Sequence, residues 1–160
     1  MKKLFLCMII AVFTFNLNAQ DGKLSTVINV GLPIGNTSNI SSFSIAADVN
    51  YGLSSSDEFD WGITVGFIHY FGKTLNNISL GDITFLPIAG TARFNASNEF
   101  IVGADIGYAL GISSGNNGGF YYRPLVGYKL SDTIQINASY QVVSNTGSIS
   151  NFGVGLQFGL

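Results

Sequence analysis

Beyond residue 20, apolar and polar residues alternate with period two in one segment after another, and Gly, Asn, Ser and Asp cluster between the segments. An extended chain sends successive side chains to opposite faces, so the pattern predicts strands joined by turns; no helical stripe competes with it. Eight strands follow: Leu24 to Ile34, Phe43 to Leu53, Phe59 to Phe71, Thr84 to Phe94, Phe100 to Ile112, Phe120 to Lys129, Thr133 to Val143 and Ile149 to Leu160. They are long for globular strands and of the length that a tilted membrane crossing needs.

The two faces differ in kind. One carries Phe43, Ile45, Ala47, Val49, Tyr51 and Leu53 in the second strand, and the fifth, seventh and eighth repeat it, with no ionised side chain on that face in any strand. The other holds Asp48, Asn50, Asp60, Thr64, Thr91, Arg93, Asp105, Arg123, Gln135, Asn137, Ser139 and Gln141, together with many glycines. Alternation alone leaves open which face is outside, because a soluble ligand-binding barrel of lipocalin type alternates as cleanly with its apolar face inward. Two features favour the inside-out arrangement. The polar face has few charges and many glycines, which suits a narrow interior. The aromatics also gather toward strand ends: Tyr51, Phe59, Trp61, Phe94, Phe100, Tyr128 and Phe158 near one rim, Phe43, Phe71, Phe120 and Tyr122 near the other. Two girdles flanking an aliphatic band are what lipid interfaces select.

Composition strengthens this reading. Only 10% of residues are charged, against roughly 25% in an ordinary soluble domain, too few to clothe a water-facing surface. Residues 1–19 read as a cleaved secretory signal, with Lys2 and Lys3 as the basic region, Leu4 to Phe15 as the apolar region and Leu17-Asn18-Ala19 as the cleavage site. Residues 20–160 then form one domain, without cysteine and so without a disulfide framework or thiolate metal site. The basic side chains beyond Ala19 are Lys23, Lys73, Arg93, Arg123 and Lys129, and they make no stripe of the kind nucleic acid requires. With the chain starting in the periplasm, short turns near 54–58, 95–99 and 130–132 face inward and longer loops near 35–42, 72–82, 113–119 and 144–148 face outward. Pro33, Pro87 and Pro124 are expected toward the outer strand ends, where a lost ladder bond can be solvated.

The candidate site is a structural polar network in the lumen, formed by Asp48, Asp60, Arg93, Asp105 and Arg123, with an ion pair expected between Asp60 and Arg93. His69, the only histidine, falls on the outward face near the outer rim and reads as an interfacial residue; no Ser/His/Asp set assembles around it. The acidic run Asp57, Glu58 and Asp60 reads as a solvated turn, and no helix follows Gly153-Val154-Gly155 to make a phosphate loop. The chain offers no catalytic constellation and no cofactor site.

The stretch Gly119-Phe-Tyr-Tyr-Arg-Pro-Leu-Val-Gly-Tyr-Lys-Leu-Ser-Asp132 and the alternating Phe152, Val154, Leu156 and Phe158 resemble the small eight-stranded outer-membrane barrels of Gram-negative cells, the OmpX, OmpW and OmpA transmembrane-domain type. The resemblance covers residues 20–160 and rests on pattern; the chain ends on Leu160 where an aromatic is usual. It implies an all-β fold, an eight-stranded antiparallel up-and-down transmembrane β-barrel in the cell outer membrane, inserted by the barrel-assembly machinery and surrounded by outer-membrane lipid. The expected role is that of a non-enzymatic envelope protein with a side-chain-filled lumen, serving structure, surface interaction or limited passage of small molecules. Fold of this kind does not carry function with it.

Overall fold

The computed structural model describes residues 24–56 and 58–160. The signal sequence expected at 1–19 lies outside the described residues, as does Asp57. The elements are β1 (Leu24–Pro33), a single-turn helix α1 (Thr37–Ile40), β2 (Ser41–Ser55), β3 (Phe59–Gly72), β4 (Thr74–Leu75), β5 (Ile78–Ser79), β6 (Ile83–Asn95), β7 (Phe100–Gly111), β8 (Gly119–Lys129), β9 (Ile134–Ser144) and β10 (Ser148–Gly159). The eight long strands agree with the alternation pattern to within two residues at each end. The helix α1 and the small β4–β5 hairpin were not foreseen; both lie in segments too short for periodicity to register.

The long strands close into one barrel in the order β1-β10-β9-β8-β7-β6-β3-β2, every neighbour antiparallel. Closure leaves no free edge and pairs the first strand with the last, for example Val30 with Val154. The faces point as the pattern requires. Ile28, Leu32, Ile63, Ile106, Phe152 and their neighbours are exposed on the outer wall, while Asp48, Asp105, Arg123, Asn137 and Gln141 are buried inside. The barrel is therefore turned inside out relative to a soluble ligand-binding barrel.

One rim carries both ends of the described barrel and the connections 56–58, 96–99 and 130–133; it is called the turn rim below. All three connections use the same device. Ser56, Ser97 and Ser131 each donate their backbone N–H to the carbonyl three residues on, and each side-chain oxygen accepts the N–H of that same residue: Phe59 at 2.9 Å, Phe100 at 3.0 Å and Ile134 at 3.1 Å. A serine hydroxyl thus supplies the bond that would otherwise leave a strand's first donor unpaired. The opposite, loop rim carries α1, the β4–β5 hairpin and the connection 112–118. Its fourth link, 145–147, is as short as any turn on the other rim, so the contrast of short inner turns and longer outer loops holds for three links of four.

The prolines correct one expectation. Pro33 ends β1, but Pro87 and Pro124 sit well inside β6 and β8. The β3–β6 ladder skips from Val65–Ile88 to Ile68–Phe85, and the β8–β9 ladder from Tyr122–Val142 to Leu125–Ser139. The lost bonds fall within the wall rather than at the solvated rim. Each proline keeps register with its other neighbour, Pro87 with Ala109 and Pro124 with Ala104, which confines the loss to one side.

Candidate functional site in the barrel lumen

The lumen is built in three layers, each from inward-facing positions of several strands. At mid-depth lies an ionic layer. Arg123 on β8 donates through Nη1 to Asp48 Oδ2 at 2.5 Å and through Nε to Asp105 Oδ2 at 2.7 Å, and Arg93 Nη2 meets Asp105 Oδ1 at 2.6 Å. Asn29 Nδ2 donates to Asp48 Oδ2, and Arg93 Nη1 donates to the carbonyls of Ala92 and Ala104. Two guanidiniums face two carboxylates, so the layer is electrically balanced. That matters because Asp48, Asp105 and Arg123 are each at most 3% exposed, and an unpaired charge there would be costly. Asp48 on β2 and Arg123 on β8 stand four strands apart whichever way the ring is followed. Their ion pair spans the bore from one wall to the opposite one.

Four of the five expected network members come together in this layer, and Asp60 does not. It lies directly across the ladder from Arg93, but Arg93 turns inward to Asp105, and Asp60 Oδ2 accepts instead from Asn95 Nδ2 at 3.2 Å. The physical reason is depth. Asp105 is fully buried, so its charge gains most from a guanidinium; Asp60 is half-buried at the lining of the open mouth, where an ion pair contributes less. The Asn95 amide links Asp60 onward to Lys129 Nζ at 3.1 Å.

Toward the loop rim the lumen is filled by an apolar cluster. Ile68, Tyr70, Phe85, Ala89, Ala109, Tyr121, Val143 and Ala46 are buried together, and Ile83 and Ile149 pack on them. Tyr70 and Phe85 meet edge to face with centroids 6.2 Å apart. Of the two phenol hydroxyls in this layer, that of Tyr70 donates to Asn151 Oδ1, whose amide donates to Ser44, while that of Tyr121 is buried without a hydrogen-bond partner among the described residues. This core was missed in the sequence because Ile68, Tyr70, Phe85 and Tyr121 lie at inward parity on a face otherwise read as polar. Strict parity counting of the single strands contains the signal.

Toward the turn rim the lumen opens into a cavity of about 600 Å³, lined in part by Ser25, Asn50, Asp60, Arg93, Lys129 and Gln135. The ionic layer and the apolar cluster occupy the bore at their own depths, whereas this mouth is open and a second cavity of about 470 Å³, lined in part by Leu80, Ile83, Phe85, Asn116 and Ile149, lies at the loop end. The aromatic positions at this rim, Trp61, Phe94, Phe100 and Tyr128, project outward and are exposed; Tyr51 and Phe158 are half-buried on the same wall. Phe100 and Tyr128 pack edge to face at 5.0 Å. His69 also faces outward, between Phe67 and Phe71, with Nδ1 2.9 Å from Thr84 Oγ1 and Nε2 3.5 Å from Asp82. Among the described residues, no three of His, Cys, Asp and Glu gather where they could hold a metal ion.

No family model matches the sequence, and no curated protein matches it. Solved structures do match its fold. The attachment invasion locus protein Ail of Yersinia pestis superposes with a TM-score of 0.60 at 13% identity, over 87% of this chain and 97% of that one. A de novo designed transmembrane β-barrel gives 0.57 at 12% identity, over 90% and 100%. Neisserial surface protein A gives 0.50 at 14% identity, over 86% and 96%. At such identities the likeness is one of fold: the chain has the closed eight-stranded architecture of the small outer-membrane barrels.

Proposed function

We propose that this chain is an integral outer-membrane protein of a Gram-negative cell, exported by a cleaved leader at residues 1–19, inserted by the barrel-assembly machinery, and closed to solute flow. It acts through its outer wall and outward loops in envelope structure or surface interaction, and not as an enzyme. The observation that carries this reading is the pairing of an apolar outer wall with a bore blocked twice, by the Asp48–Arg123 bridge and by the Tyr70–Phe85–Tyr121 core. The first block is ionic; the second is built mainly of apolar side chains, with the Tyr70 hydroxyl inside it bonded to Asn151 and Gln141. Attachment in the name of the Yersinia protein and surface in that of the neisserial one support the outward role. One structure of the former is a complex with the heparin analogue sucrose octasulfate. The loop rim here argues against that ligand class, because Lys73 is its only Lys or Arg among the described loop residues, and its Nζ is engaged with the Ser38 carbonyl at 2.6 Å.

Planar-bilayer recording of the refolded protein tests the closed lumen. The expected trace is flat across voltages, with the folded state confirmed by heat-modifiable gel mobility. A steady open current from folded protein would overturn the reading. Recovery of the native protein from periplasm without detergent would remove its membrane location.

A further inference from the structure

Between the ionic layer and the turn rim, the wall of the lumen carries a ring of neutral polar side chains: Ser25, Asn50, Thr91, Gln135 and Gln157. These side chains and their charged neighbours could reach across the bore, as Arg123 does to Asp48 in the ionic layer. They bond along the wall instead. Asn50 Nδ2 donates to Ser25 on the adjacent strand, Asn95 Nδ2 to Asp60 on the adjacent strand, and Lys129 Nζ to Asn95 two strands away. Two glycines provide recesses for the longest of them. The space that a Cβ would take at Gly103 holds Arg93 Cδ, and at Gly127 it holds the Gln135 amide, each from a neighbouring strand. With those side chains laid back, the mouth stays open at about 600 Å³, a volume within the range of small-ligand sites.

Two charges at this lining are left without a counter-charge. Arg93 is matched by Asp105. Asp60 has no ion-pair partner among the described residues; it accepts one hydrogen bond, from Asn95, and its Oδ1 accepts none. Lys129 likewise meets no carboxylate among the described residues and gives one of its three N–H donors to Asn95. The Asn95 amide stands between the two, bonded at 3.2 Å to the carboxylate and at 3.1 Å to the ammonium, and so spaces them apart. That separation is of the order of an extended dipeptide, which spans at most about 7 Å. The amides and hydroxyls of the ring suit a peptide unit between the two ends, whose N–H and C=O need partners once out of water. Asp132 adds a third charge only at the exposed lip, where water solvates it.

We propose that the turn-rim mouth is a binding site for a zwitterionic ligand of dipeptide size, its ammonium on Asp60 and its carboxylate on Lys129. Two opposite, unmatched charges select this class. A neutral sugar would leave both unpaired, a diamine would bring a like charge to Lys129, and a dicarboxylate would bring one to Asp60. The inference goes beyond the closed-lumen reading and does not depend on it, since the block lies deeper in the bore than the mouth.

Calorimetric titration with L-alanyl-L-alanine tests the site, using protein refolded in phosphatidylcholine bicelles, which leave both rims open to water. Saturable one-to-one binding is expected. N-acetylation or C-terminal amidation of the dipeptide should each weaken it about tenfold, the effect of losing one hydrogen-bonded charge. Asp60→Asn should weaken the parent dipeptide to a similar degree and erase the penalty of acetylation while keeping that of amidation; Lys129→Met should do the converse. This crossing separates charge recognition from misfolding, and heat-modifiable mobility verifies each barrel. Absence of saturable binding to the folded protein would overturn the site, as would equal binding of the blocked and unblocked dipeptides. A flat bilayer trace without dipeptide binding would remove the site and leave the closed barrel standing; a steady current with binding would do the reverse.

Discussion

Gly66 and Gly90 lie on neighbouring strands three residues apart in register, Gly90 pairing with Ile63, and they answer to different constraints. Gly66 faces the lumen, and a Cβ there would overlap Asp48 Oδ1, the carboxylate that anchors the cross-bore ion pair. Gly90 faces outward, and its nearest obstacle to a Cβ is the Ile106 carbonyl at 3.9 Å. Gly66→Ala is therefore expected to lower stability by about 1–3 kcal/mol through overpacking, and Gly90→Ala to leave it within about 0.5 kcal/mol. Urea titration of the two variants refolded in the same lipid checks this; equal midpoints would contradict it. Interior glycine at Gly155 follows the Gly66 logic, with Asn29 Oδ1 in the space a side chain would take. Residue-scale reading of sequence finds such glycines on the polar face but cannot say which side chain each one accommodates, because the occupant comes from another strand.

Among the elements, the turns are built more uniformly than their sequences suggest. Ser56, Ser97 and Ser131 precede Phe59, Phe100 and Ile134 by three residues and make the same pair of bonds in each case. Ser97→Ala removes an acceptor from the Phe100 N–H, which also starts a strand carrying a rim aromatic. The expected loss is about 1 kcal/mol, read as a lower urea midpoint with unchanged slope; an unaltered midpoint would show that water replaces the hydroxyl at no cost. Strand positions were legible because alternation is a local property repeated over ten or more residues. The β4–β5 hairpin and α1 were not, since two to four residues carry no period, and neither were the mid-wall ladder gaps at Pro87 and Pro124. Proline's missing donor is local, but its depth in the wall depends on where neighbouring strands pair.

For the whole molecule, the decisive contact is the one that ties opposite walls. Arg123 reaches Asp48 across the bore and Asp105 beside it, so Arg123→Met would leave two buried carboxylates with only Arg93 between them. A loss of about 3–5 kcal/mol is expected from breaking such a buried pair, measured by unfolding in lipid vesicles, and a change below 1 kcal/mol would show that the layer is hydrated rather than closed. Sequence by itself determined the strand count, the inside-out sense of the barrel and the identity of the lumen charges, because period two and the absence of charge from one face are written along each strand separately. Tertiary structure alone decided which charges pair, that Asp60 stays in the open mouth while Asp105 takes Arg93, and that the loop half of the lumen is an apolar core. Closure brings residues as far apart as Asp48 and Arg123 to one depth, and depth sets how much water each group keeps; that quantity belongs to the ring and to no single strand.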